Sequence, residues 1–96
     1  MTLREFLAKN QRRPHLPTHV AGTVEEWLCQ GELDEELRRI ATFRSRTGDT
    51  YLYQTASSGI VLVDAPSILS LETSRDGARQ WLDDGQREEF DQRFGA

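Results

Sequence analysis

Residues 50–63 read TYLYQTASSGIVLV, and this stretch decides the fold. Its two ends, TYLYQT and GIVLV, are rich in aromatic and β-branched residues, which favour strands. The Ser-Ser-Gly sequence between them is a turn signal. The stretch therefore predicts two antiparallel strands joined by a tight turn.

The strand pattern continues on both sides of this hairpin. TFRSRT at 42–47 predicts a preceding strand, and the Thr-Gly-Asp sequence at 47–49 predicts the turn that follows it. SILSLE at 67–72 predicts a fourth strand. The alternation in TFRSRT places Phe43 on one face and arginines on the other, so we expect one face of the sheet to be solvated. The sequence predicts a three- or four-stranded antiparallel β-meander over residues 41–72.

Helical signals flank the meander on both sides. A Thr-x-x-Glu capping box at the N-terminus predicts a short helix over residues 1–12. Two prolines make residues 13–22 an extended connector, because proline fixes φ and lacks a backbone donor. Capping signals and helical spacing predict a helical pair over residues 23–40 and C-terminal helices over residues 73–94. The prediction is a single α+β domain of 96 residues whose C-terminal helix packs on the sheet.

Two of these helical predictions depend on particular residues. Leu33, Leu37 and Ile40 fall on one helical stripe, and they predict that the second helix of the 23–40 pair continues to residue 40. Thr73 begins a capping box, and Gly85 marks the end of the helix that follows it. Seven apolar residues are expected to meet in one core: Trp27, Leu28, Leu37, Phe43, Leu62, Trp81 and Leu82.

Composition restricts the setting of the protein. The formal net charge is −4, and all of it comes from residues 64–96, because residues 1–63 carry eight acids and eight bases. No apolar run approaches the ~20 residues that span a bilayer, and the N-terminus lacks the apolar stretch of a signal peptide. The chain has a single cysteine, which excludes an intramolecular disulfide. We expect a cytoplasmic, reducing compartment and no membrane partner; composition leaves the oligomeric state open.

The sequence contains no arrangement typical of catalysis, of a metal site or of a cofactor. His15 and His19 are four apart, but Pro14 and Pro17 deny them a shared helix face. Cys29 lies among glutamates, which disfavour the thiolate. The serines at 57 and 58 lack the glycine framing of a nucleophile elbow, and no lysine follows them as in a phosphate loop. We expect a protein that is not an enzyme and that has no metal and no cofactor.

An arginine and tyrosine cluster is the first candidate binding surface. Arginines beside tyrosines on an exposed sheet face can neutralise phosphates and stack on bases. The structural alternative is that these arginines pair with the acids at 32–36. The cluster consists of Arg38, Arg39, Arg44, Arg46, Tyr51 and Tyr53.

An acidic helical surface is the second candidate. Carboxylates on a rigid helix can occupy a basic groove that normally receives phosphates. The structural alternative is a solubilising face, because arginines are interleaved with these acids. The acids are Asp83, Asp84, Glu88 and Glu89.

The string ARQWLDDGQR at 78–87 is similar to helices in small acidic phage proteins that inhibit CRISPR complexes. The similarity spans ten residues and transfers no binding residue. The leading hypothesis is a small non-enzymatic module that inhibits or regulates a larger protein or nucleoprotein, in the manner of anti-defence inhibitors of phages and mobile elements, immunity proteins or antitoxin-like regulators. The second hypothesis is direct nucleic-acid binding through the arginine and tyrosine cluster.

Overall fold

A computed structural model of the chain describes residues 1–9, 31–57, 59–66 and 69–95. The elements are α1 (Leu3–Lys9), a 3₁₀-helix (Glu32–Asp34), β1 (Leu37–Phe43), β2 (Thr50–Thr55), β3 (Val61–Asp64), β4 (Leu69–Glu72), α2 (Arg75–Arg79) and α3 (Asp84–Phe94). The sheet has the order β1-β2-β3-β4, and every neighbouring pair is antiparallel. The predicted α+β fold, with an antiparallel meander and a C-terminal helix packed on it, is confirmed.

Strand β3 is apolar on both of its sides. Val61, Leu62 and Val63 are consecutive and are all buried. Because successive side chains of a strand point to opposite faces, both faces of the sheet must be covered at β3. The expectation that one face is solvated is therefore wrong, and the single expected core is replaced by two clusters.

The first cluster lies on the face of the sheet that carries Leu62, here called the α1 face. Leu3 and Phe6 of α1 pack there with Leu62 and with Leu71 of β4. The helix begins with the predicted capping box: the backbone N–H of Glu5 donates to the Thr2 hydroxyl, and the Thr2 N–H donates to the Glu5 carboxylate. These hydrogen bonds lower the pKa of Glu5.

The second cluster lies on the opposite face, here called the α3 face. Its strand residues are Ala41, Phe43, Leu52, Val61 and Val63, and its helical side comes from Ala78, Leu82 and Phe90. Among the expected core residues, Phe43, Leu62 and Leu82 are buried, and Leu37 and Trp81 are partly buried. Trp27 and Leu28 lie outside the described residues, as do residues 10–30 as a whole.

The prediction that a helix continues to residue 40 is wrong. After the short 3₁₀-helix, the chain enters β1 at Leu37 and pairs with β2 from Leu37↔Thr55 to Phe43↔Thr50. Leucine and isoleucine at helical spacing were misleading here because the open edge of β2 offers a full ladder of backbone partners. Tertiary pairing of this kind overrides a local periodic pattern.

A β-bulge at Ile40 adapts β1 to the α3 face. The register shifts between Arg39 and Ala41, so Ile40 has no opposite residue on β2. Ile40 and Ala41 then both contribute to the core of the α3 face. An extra residue of this type bends the strand and redirects its side chains.

The C-terminal helices begin and end at other residues than predicted. Ser74, not Thr73, caps α2, because its hydroxyl accepts a hydrogen bond from the Gly77 N–H. Helix α2 stops at Arg79, and Gly85 lies in the first turn of α3 instead of ending a helix. Helix α3 begins at a capping box instead: the Asp83 side chain accepts from the Gln86 N–H, and the Gln86 side chain accepts from the Asp83 N–H.

The turn between β1 and β2 needs a glycine. Gly48 has a φ of 127°, and a Cβ built there would lie 2.6 Å from the Cγ of Pro66. Glycine is the residue that tolerates both this backbone conformation and this close approach. The turn predicted at residues 47–49 is therefore confirmed. None of the described helices has the length and apolar composition needed to cross a bilayer.

We predict that Leu52→Ala and Leu62→Ala each lower the free energy of unfolding by about 2–5 kcal/mol, because each removes a fully buried side chain from a different face. Chemical denaturation monitored by circular dichroism measures both losses. A loss below about 1 kcal/mol for either variant would show that its face is not a packed core.

Candidate binding surface

The four arginines of the first predicted cluster lie along one edge of the sheet, here called the arginine edge: Arg38, Arg39, Arg44 and Arg46. Arg38 and Arg39 belong to the edge strand β1, and Arg44 and Arg46 belong to the loop that follows it. All four side chains are exposed. Arg44 follows Arg38 by six positions, so at ~3.3 Å per residue the edge extends over about 20 Å.

The acids just before β1 do not neutralise the arginine edge. Asp34 pairs with Arg4 at 3.0 Å, and Glu36 pairs with the N-terminal amino group. Glu35 accepts hydrogen bonds from the backbone N–H and the hydroxyl of Ser57, at 2.7 and 2.9 Å. Within the described part of the chain, no arginine of the edge forms an ion pair. The predicted pairing with the acids at 32–36 is therefore wrong for Asp34, Glu35 and Glu36.

The strand geometry divides the predicted cluster between the two faces. Arg39 lies opposite Tyr53 on the α1 face, and its Cζ atom is 5.7 Å from the centre of the Tyr51 ring. Arg38 lies on the α3 face, opposite Gln54. The structure therefore brings Arg39, Tyr51 and Tyr53 together and separates them from Arg38.

Tyr53 connects this group to the core. Its ring lies 5.3 Å from the ring of Phe6 in α1. Burial raises the pKa of Tyr53, the nearby Asp64 raises it further, and Arg39 opposes the increase. The Tyr53 hydroxyl is thus held neutral beside a cation, which suits it to donate a hydrogen bond to an anionic group.

Two of the four acids of the second predicted surface are paired within the chain: Asp84 with Arg87 at 3.4 Å, and Glu89 with Arg93 at 3.5 Å. Asp83 caps α3 by accepting a hydrogen bond from the backbone. Asp83 and Glu88 make no ion pair with a described residue. The surface therefore presents less free negative charge than the sequence indicates.

Asp91 follows the same pattern on α3. It receives two hydrogen bonds of 2.8 Å from the Arg79 guanidinium, which lower the pKa of Asp91 and raise that of Arg79. This bidentate pair connects α2 to α3. Three of the interleaved arginines, Arg79, Arg87 and Arg93, thus pair with acids of α3.

On the α3 face, Arg75 and Arg38 both neighbour Gln54, which the sequence did not reveal. Arg75 donates from Nη2 to the Gln54 Oε1 atom at 2.9 Å, and its Cζ atom lies 4.7 Å from the centre of the Phe94 ring. Arg38 is the strand partner of the same Gln54. Arg75 is 37 positions from Arg38, so no local spacing could have indicated this juxtaposition.

A small cavity of about 210 Å³ opens beside the arginine edge, between the β1–β2 turn and the start of α3. Its polar lining is engaged in the fold: Gln86 donates to the Phe43 carbonyl and to the Thr50 hydroxyl, and Asp83 accepts from the Gln86 N–H. No group of three His, Cys, Asp or Glu residues within the described ranges is placed to hold a metal ion. His15, His19 and Cys29 lie outside those ranges.

Comparisons with protein-family models, with curated proteins and with solved structures find no match to this chain. The string ARQWLDDGQR does not form one helix. It runs from the end of α2 through residues 80–83 into the first turn of α3.

We predict that Arg39→Gln raises the pKa of Tyr53 further, because it removes a cation that favours the tyrosinate. The measurement is a spectrophotometric pH titration in a Tyr51→Phe background, where Tyr53 is the remaining tyrosine of the two. Arg44→Gln is the matched control, since it removes the same charge from the loop. An unchanged or lowered Tyr53 pKa in Arg39→Gln would contradict the described position of Arg39.

Proposed function

We propose that this protein is a non-enzymatic binding module that covers a surface of a larger protein or nucleoprotein and thereby inhibits or regulates it. The observation that carries the proposal is the arginine edge. Its four cations remain without carboxylate partners in the described structure, whereas most acids that flank it in sequence are already engaged.

The arginine edge suits recognition through side chains. Edge strands that carry charges and a bulge resist the addition of a further strand, and β1 has both features. Arginine presents a planar fork of donors that matches carboxylate and phosphate oxygens. A partner is therefore expected to meet the guanidinium groups of β1 and of its loop instead of extending the sheet.

The charge distribution favours an oriented encounter. Because the net charge is −4, the protein as a whole does not attract an acidic patch of a partner at long range. The arginine edge is the place where such a patch is attracted. Local complementarity of this kind contributes mainly to specificity and to the association rate. The interaction is expected to weaken as salt screens the exposed arginines.

The cavity supports the non-enzymatic part of the proposal. Asp83 and Gln86, which are its most polar lining residues, form the capping box of α3. A catalytic acid or base needs a proton-transfer partner within hydrogen-bond reach of a substrate. Here both side chains are committed to backbone groups and to the buried Thr50 hydroxyl.

Direct nucleic-acid binding is the second candidate. The observation that favours it is the Arg39 guanidinium above the Tyr51 ring, because arginine and tyrosine planes stack on bases in single-stranded nucleic acids. Binding of this kind falls steeply with salt concentration. The biological setting we propose is that of anti-defence inhibitors, immunity proteins or antitoxin-like regulators, which act in the cytoplasm by covering a partner.

We predict that Arg44→Gln/Arg46→Gln loses a partner that the unchanged protein retains in affinity capture from the source cells. The two loop arginines make no ion pair in the described structure, so their replacement leaves the fold intact. Quantitative mass spectrometry of the retained proteins measures the loss, expected to be about tenfold or more for a charge-assisted contact.

The control is Lys9→Gln/Gln92→Glu, which changes the net charge by the same two units at exposed positions away from the edge. A partner that depends on the arginine edge is retained by this control. A partner that both variants retain equally contradicts the proposal. So does a protein that retains no partner at all.

A further inference from the structure

We propose that Arg38 and Arg75 form a carboxylate clamp that binds a single acidic side chain of the protein partner. The clamp lies on the α3 face, with Gln54 between the two arginines and the Phe94 ring beneath Arg75. The inference rests on the proposed function and names the chemistry that the partner presents to the Arg38 end of the arginine edge.

The register of β1 and β2 places the two arginines together. Arg38 and Gln54 are direct cross-strand partners, and such side chains lie ~5 Å apart at Cβ on the same face. The Gln54 side chain in turn contacts the Arg75 guanidinium through a hydrogen bond of 2.9 Å. Gln54 is therefore the strand partner of one arginine and the hydrogen-bond acceptor of the other, and both arginines are exposed.

Arg75 has two contacts within the chain that restrict its side chain before any ligand arrives. Its Cζ atom lies 4.7 Å from the centre of the Phe94 ring, and Gln54 accepts one of its five N–H donors. The remaining donors include the fork that binds a carboxylate in a bidentate manner. A group ordered in advance loses less conformational entropy when it binds, so Arg75 is the stronger half of the clamp.

Neither arginine of the clamp is neutralised by the described carboxylates. The ion pairs of α2 and α3 use Arg79, Arg87 and Arg93 but not Arg75. Two adjacent cations without a counterion repel each other, and an anion placed between them relieves this repulsion. A carboxylate is the protein side chain that supplies such an anion.

The surroundings favour one carboxylate over a phosphate chain. Asp76 follows Arg75 directly on α2, and Glu89 lies on α3 in its ion pair with Arg93. A nucleic acid brings one phosphate after another, and its binding requires several cations in succession. Asp76, which forms no ion pair within the described residues, would repel a neighbouring phosphate, whereas the charge of Glu89 is opposed by Arg93. An acidic side chain of a protein places its charge at the clamp alone.

The test measures binding of a fluorescein-labelled hexaglutamate peptide and a fluorescein-labelled oligothymidylate by fluorescence anisotropy, at about 20 mM and about 150 mM salt. The variants are Arg38→Gln, Arg75→Gln and Arg75→Lys, with Lys9→Gln as the control of equal charge change at an exposed position outside the arginine edge. Thermal unfolding followed by circular dichroism establishes that each variant is folded.

We expect Arg38→Gln and Arg75→Gln each to weaken hexaglutamate binding by about tenfold or more, and Lys9→Gln to weaken it by less than about twofold. Arg75→Lys is expected to behave like Arg75→Gln, because an ammonium group cannot supply the planar fork. Together these results support the clamp.

Three results would overturn it. The first is hexaglutamate binding that depends on Lys9 as strongly as on Arg38 and Arg75, or no binding of the peptide at all. The second is full affinity in Arg75→Lys. The third is tighter binding of oligothymidylate with the same dependence on Arg38 and Arg75, which would assign the site to phosphate. Equal dependence on Lys9 removes only the clamp; the proposed function fails separately, when partner capture does not depend on Arg44 and Arg46.

Discussion

The central constraint on this fold is that β3 is apolar on both sides. Val61, Leu62 and Val63 are each almost fully buried, so water must be excluded from both faces of the sheet. Helix α1 covers one face, and α2 and α3 cover the other. The outer strand β1 has a neighbouring strand on one side, and Arg38 and Arg39 of this strand are exposed.

The position of β1 explains why function is expected at the arginine edge. The apolar residues Ile40, Ala41 and Phe43 attach the strand to the α3 face, while Arg38 and Arg39 face solvent on opposite sides of it. Part of the negative charge of the C-terminal region is paired with the arginines of α2 and α3. The arginines of the edge, in contrast, form no ion pair within the described residues.

Local signals predicted the parts of the fold that are formed by local interactions. The Thr2–Glu5 capping box, the turn at Gly48 and strands β2 to β4 follow from neighbouring residues. The strand predicted at 42–47 overlaps β1 only at Thr42 and Phe43. The burial of both faces of the sheet and the position of Leu37 in a strand did not follow from local signals. Both depend on contacts that β2 and β3 make with distant parts of the chain. The pairing of Arg38 with Arg75 through Gln54 is of the same kind: it exists only after the sheet and α2 have assembled.

The most direct test of the account is the stability of variants in the arginine edge. We propose that Arg38, Arg44 and Arg46 serve a partner and not the fold, because none of them forms an ion pair within the described residues. Chemical denaturation of Arg38→Gln, Arg44→Gln and Arg46→Gln should give free energies of unfolding within about 0.5 kcal/mol of the unchanged protein. A loss of more than about 1 kcal/mol would show that these arginines stabilise the fold, and would contradict the account.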